Sequence, residues 1–256
     1  MNGRSPCIVS IFRDNIDMKT VGLQKSVVEK FNPKGIKHYQ FKLELPHGVA
    51  IDYFWTQNGV AVDKFMEATG NRDVPQGSNH DAVLILDIDC VPVHERAIEK
   101  FFEAAYAGKL IGNAQRSNHL DNGQHLFAAS SCAAISLGTF VSIGRPSAFE
   151  NPPRSDVLEE YTWAAEENGV DVELLMPKRY EGPPLRMEWE PKDGPDHWAL
   201  KDGMPKYGVG TTFGDDEGDL FYHQFQIFRG KHQEMFWNKC EELLTAGPDI
   251  KITGAE

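Results

Sequence analysis

The sequence predicts a single α/β domain with a mostly parallel central sheet flanked by helices, followed by an irregular C-terminal half. Three observations carry this. Apolar, β-branched runs alternate with amphipathic segments through the first 116 residues, the pattern of strand–helix–strand units. Hydrophobic residues make up 41% of the 256 positions and charged residues 25%, enough for one sizeable core without metal or disulfide staples. No repeat, low-complexity tract or linker-like stretch divides the chain, and its length suits one large domain.

Taken in order, "CIVSIF" (Cys7 to Phe12) is a β-branched run that reads as a strand. Thr20 to Phe31 places Val21, Val27, Val28 and Phe31 near helical spacing, with Asn32-Pro33 as a stop. Ile36 to Leu45 alternates like a strand, and "GVAIDYFWTQNG" reads as a short helix ending at Gly59. After a polar loop, "AVLIL" (Ala82 to Leu86) is continuous enough for a fully buried strand. Val93 to Ala107 is a strong amphipathic helix, and "KLIGNAQ" is the next strand.

In the second half, Ser130 to Gly144 reads as a strand and a short helix. "NPPRSDVLEEYTWAAEENG" reads as a loop feeding a helix that stops at Gly169, and "VDVELLMP" as a strand. Lys178 to Phe213, rich in Pro, Gly and Trp, is expected to be a long ordered loop over the site. "DLFYHQFQIF" resumes strand character, and "KHQEMFWNKCEELLTAG" is a C-terminal helix.

Charge and cysteine usage narrow the function classes. The formal net charge is -12, which disfavours phosphate backbones and anionic lipid as partners. The four cysteines show no close pairing and read as buried thiols of a reducing compartment. No apolar stretch approaches the roughly 20 residues of a membrane span, and the N-terminal apolar run is too brief for a signal-peptide core. A cytoplasmic protein is the expectation.

Chemistry concentrates where the buried strand ends, at Asp87 and Asp89. Alternation along an extended chain puts both carboxylates on one face, with Ile88 turned away. Two such charges ask for a cation between them, and Mg²⁺ or Mn²⁺ prefers carboxylate oxygen. Mg²⁺ keeps positions for water and phosphate oxygens, so a diphosphate ligand follows.

"VLILDIDCVPV" resembles the D-x-D element of the GT-A (Rossmann-like) glycosyltransferases, with Asp87 and Asp89 in its acidic positions. The resemblance implies a metal-dependent transfer of sugar from a nucleoside diphosphate donor, with UDP-sugars favoured, to an acceptor hydroxyl. It implies a nucleotide-sugar half over 1–116 and an acceptor half over 117–256. Asp87 would lie near the donor and hold metal with Asp89. His223 matches the family's late metal ligand, with His232 the alternative. Arg13 or Asn15 would contact the base, and Asp52 base or ribose. "AASSCAAISLGTF" resembles the segment lining donor sugar and acceptor, with Ser131 within it. Asp156, or Glu159 and Glu160 beside it, matches the region from which inverting members offer a catalytic base. Gly208, Gly210 and Gly214 are expected in a flexible run able to close over a diphosphate.

The acceptor stays open among a glycan, a lipid-linked sugar, a protein and a modified DNA base. Two other readings remain at this point. Haloacid-dehalogenase-like phosphatases also end an apolar strand in D-x-D, usually on the first strand. A non-catalytic nucleotide-sugar-binding module would keep the sheet without the activity.

Overall fold

In a computed structural model, the described residues are 4–43, 59, 62–66, 80–117, 125–151, 154–184 and 207–246. Nine strands form one sheet: β1 (Pro6–Arg13), β2 (Lys37–Leu43), β3 (Ala82–Leu86), β4 (Cys90–Pro92), β5 (Leu110–Arg116), β6 (Leu126–Ser136), β7 (Val172–Pro184), β8 (Gly208–Asp215) and β9 (Gly218–Gln224). Their order is β2-β1-β3-β6-β5-β7-β8-β9-β4. Among the described residues, the helices with defined bounds are α1 (Met18–Lys30), α2 (Ala97–Tyr106), α3 (Leu137–Ser142), α4 (Glu159–Glu167) and α5 (Gly230–Thr245), and residues 62–66 are also helical.

The α/β class holds, but the sheet is mixed. Only the pairings β1–β2, β1–β3 and β5–β7 are parallel. The other five, β3–β6, β5–β6, β7–β8, β8–β9 and β4–β9, are antiparallel. The reason is that β6 returns beside β3 as the second arm of a β5–β6 pair, and an inserted strand running backwards ends the parallel series.

A second correction concerns the stretch expected as irregular. Lys178 to Pro184 continues β7, and Gly208 to Phe213 belongs to β8, with which β7 pairs; residues 185–206 lie outside the described set. The glycine run is therefore a strand and not a closing loop. A Cβ at Gly210 would collide with the Tyr222 hydroxyl, one at Gly208 with the Tyr180 ring and one at Gly214 with the Gly218 carbonyl. Close approach of neighbouring strands, not diphosphate binding, accounts for these glycines.

β3 is buried along its whole length, as its unbroken apolar run requires. One face of the sheet packs Leu84 and Leu86 against Phe101 and Phe102 of α2. The other sets Val9, Val83 and Ile85 beside Leu158, Tyr161 and Ala165 at and in α4. A third cluster joins Val21 and Val27 of α1 to Phe236, Cys240 and Leu243 of α5. Lys30 fastens that contact, donating to the carbonyls of Leu243 and Ala246 at 2.6 Å each, which answers the exposed C-terminal carbonyls of α5. All four cysteines are buried free thiols. Among the described residues no helix is long and apolar enough to cross a membrane.

Candidate metal centre

β3 stops at Leu86, and the next four residues turn rather than extend. The Cys90 amide donates to the Asp87 carbonyl at 2.9 Å, and the Asp87 amide donates to the Ser131 carbonyl of β6 at 3.0 Å. β4 then leaves β3 and pairs with β9, setting Cys90 opposite His223. The Gln224 amide holds the Asp89 carbonyl at 2.9 Å. The two aspartates therefore converge through a turn, not by alternation on an extended strand, and the second half of the chain brings in the histidine.

The result is a three-residue cluster. One ligand atom each from Asp87, Asp89 and His223 lies within 4.8 Å of the others, and His223 Nε2 stands 3.3 Å from Asp89 Oδ1. His223 is buried, its ring tilted against Phe225 at 4.0 Å between centroids. Its Nδ1 has no hydrogen-bond partner among the described residues, and Nε2 is the ring nitrogen beside Asp89. Burial, reinforced by the neighbouring Asp89 charge and opposed by His223, pushes the Asp87 carboxyl up to about 7. Two carboxylates and an imidazole fit Mn²⁺ or Mg²⁺, whose positive charge would remove that penalty.

A small pocket borders Asp87, lined by Val9, Ile11, Ile85, Ser130 and Val157. Ser130 rather than Ser131 faces it. Ser131 is 2% exposed and its hydroxyl lacks a partner among the described residues, because successive residues of a strand point to opposite faces.

The remaining sequence-derived residues do not join the cluster. Arg13 ends β1 in a buried setting that pushes its guanidinium down to about 10, and Asn15 is exposed in the turn that follows. Asp52 lies outside the described residues. Asp156 is half-buried ahead of α4, its carboxylate accepting from the Val157 amide at 2.8 Å. Glu159 is fully buried, with Oε1 2.6 Å from His125 Nδ1 and Oε2 accepting from the Asp156 amide at 2.7 Å. Glu160 accepts from Arg154 Nε at 2.9 Å and Ser155 Oγ at 2.7 Å. His232 sits at the start of α5, half-buried, with Nδ1 3.3 Å from the Gln226 carbonyl.

Three residues escaped the sequence reading. Gln24 was visible as a polar residue at a helical spacing otherwise held by Val21, Val27 and Val28. Ser130 needed the strand's facing. His125 had no local signal, since its partner Glu159 is 34 positions away.

No model of a protein family matches the sequence, and no curated protein matches it either. Solved structures do. Galactosyltransferase catalytic domains are structural neighbours of this chain. One is the catalytic domain of Drosophila beta1,4-galactosyltransferase 7 with xylobiose, at 14% identity and a TM-score of 0.44, covering 67% of this chain and 64% of that one. A mutant of the same enzyme in complex with manganese, UDP-Gal and xylobiose gives 13% identity and 0.45, covering 66% and 64%. A third, A197 from STIV, gives 12% and 0.32, covering 66% and 81%. The chain spans about 64% of the galactosyltransferase domains it matches. Likeness this distant decides nothing about donor or acceptor, so the chain's own side chains carry the functional reading.

Proposed function

We propose that the protein is a metal-dependent glycosyltransferase that moves a sugar from a nucleoside diphosphate sugar to an acceptor hydroxyl. The observation that carries this is the convergence of Asp87, Asp89 and His223 within 4.8 Å at the tip of a buried strand, beside a small pocket. Those three residues would hold Mn²⁺ or Mg²⁺, which when bound supplies positive charge to the diphosphate that departs. Asp87 and Ser130, which line the pocket, would orient the donor. Arg13, the last residue of β1, and Asn15 in the turn after it are proposed contacts for the base, as is Asp52.

For the proton, Asp156 is the better base. A base must come within hydrogen-bond reach of the acceptor hydroxyl, and Asp156 retains exposed surface while Glu159 has none. The half over 1–116 would hold the nucleotide sugar and the half over 117–256 the acceptor, with UDP-sugars the first donors to try.

Thermal-shift measurements with a panel of sugar nucleotides, with and without Mn²⁺, test the reading. A donor that binds the native state raises the melting temperature with its occupancy. Stabilisation that requires Mn²⁺ and disappears in Asp89→Asn is the expected result. If no sugar nucleotide stabilises the Mn²⁺-loaded protein, the proposal falls; a trapped aspartyl-phosphate on Asp87 would move the protein to the phosphatases.

A further inference from the structure

α1 carries a glutamine that is 0% exposed in the middle of its buried face. Its side-chain amide serves neither its own helix nor solvent. Gln24 Nε2 donates to the Asp87 carbonyl at 2.9 Å and lies 3.4 Å from the Cys90 carbonyl, the two carbonyls at either end of the D-x-D turn. The same nitrogen is 2.9 Å from Ser10 Oγ of β1. On the far side, Gln24 Oε1 accepts from Gln40 Nε2 of β2 at 2.8 Å, and that nitrogen also donates to the Val21 carbonyl at 3.0 Å. Ser10 Oγ is in turn 3.0 Å from His38 Nε2.

This arrangement admits one orientation of the amide. Flipped, Oε1 would face the Asp87 and Cys90 carbonyls, and Nε2 would face the Gln40 amide NH2, leaving buried groups mismatched. Gln24 reaches 63 and 66 positions along the chain to the turn. The turn is already closed by the Cys90 amide on Asp87, and Asp89 is held by Gln224. Bonding both end carbonyls from beneath sets how far the turn opens, and so the angle at which the two carboxylates project.

We infer that Gln24 is a positioning residue for the metal centre, holding the Asp87–Cys90 turn in ligand geometry through a buried link to β1 and β2. This rests on the metal reading above. Outer contacts of this kind matter because ligand affinity depends on the orientation of the first-contact groups.

Mn²⁺ titrations followed by the electron paramagnetic resonance of free ion test it on the full chain. Gln24→Met keeps length and removes both donors. It is expected to weaken Mn²⁺ binding on the order of 10-fold or more and to broaden the bound-ion spectrum. Ser136→Ala is the control: it removes the cap of α3, which accepts from the Thr139 amide at 3.1 Å, where β6 pairs with the start of β3. That variant should lose stability and keep Mn²⁺ affinity. Should Gln24→Met fail to fold, Gln40→Met on the edge strand removes the group that orients the amide, and several-fold weaker binding is expected, roughly the lower end of such effects. Wild-type affinity in a folded Gln24→Met, or in Gln40→Met where that variant stands in, overturns the inference while leaving the metal centre in place. A wild-type protein that takes up no Mn²⁺ removes the metal centre itself.

Discussion

At the same end of the sheet, Asp89 and His223 stand 3.3 Å apart and Glu159 and His125 stand 2.6 Å apart, yet the two carboxylate–histidine pairs do opposite things. The Glu159 pair is closed. One oxygen meets the imidazole, the other the Asp156 amide, and the His125 ring lies on Trp163 at 3.7 Å and 14°. Both Glu159 oxygens have a partner, and His125 Nε2 lies 3.5 Å from Glu166 Oε2, so the unit works as a brace between β6 and α4. The Asp89 pair is open, because Asp87 adds a second carboxylate to the same 4.8 Å cluster and, among the described residues, the group that opposes this charge is the His223 imidazole. Acid next to histidine is therefore no sign of a metal site; an excess of convergent oxygen over donors is.

The sharpest way to break that distinction is to neutralise one acid. Asp89→Asn keeps the shape of the tip and removes a charge and a ligand. Mn²⁺-dependent transfer should fall by several kcal/mol of transition-state stabilisation, on the order of 10³ in rate, with the circular dichroism spectrum unchanged. Transfer at the wild-type rate in Asp89→Asn would place the tip in the same class as the brace.

The brace should answer in stability instead. Glu159→Ala leaves the His125 nitrogen and the Asp156 amide unmet in a buried setting, at a cost of about 2–3 kcal/mol in urea unfolding, while Mn²⁺ uptake by the folded variant stays as in wild type. Loss of Mn²⁺ uptake there would mean that the two regions are one.

The unbroken apolar run of Ala82 to Leu86 and the acids after it were readable in the sequence, because full burial and charge are properties of the residues themselves. That the acids meet through a turn was not, since it follows from the Cys90 amide folding back on Asp87 and from β4 crossing to β9. The mixed sheet escaped for a similar reason: strand direction depends on which strand inserts beside β3, and periodicity carries no direction. The β8 glycines suggested a flexible loop because glycine permits one, whereas here the tight contact with Tyr222, Tyr180 and Gly218 excludes any larger side chain. His223 was reachable by family resemblance, and Gln24 only once a polar residue in an apolar helix face had been given a partner.

The smallest predicted effect, and the one most specific to the tip, is a pH dependence. In the metal-free native protein the Asp87 carboxyl is raised to about 7, first by burial and then by Asp89, while in the unfolded chain it titrates near 4. Between about pH 4 and pH 7 the native state thus holds a proton that the unfolded chain has released, so this group's contribution to stability falls as pH rises and levels off above about 7. Asp87→Asn cannot titrate. Without metal it should match the wild type near pH 4 and exceed it above pH 7. Because the shift is shared with the neighbouring Asp89 and His223 and relaxation of the tip offsets part of it, the gain should be about 1 kcal/mol, or about 2–4 °C in melting temperature. Saturating Mn²⁺ should reverse the sign, since the wild type alone gains the full binding free energy. A difference that stays flat from pH 4 to 8 without metal would mean that Asp87 carries no charge penalty, and the open pair would then be as self-satisfied as the closed one.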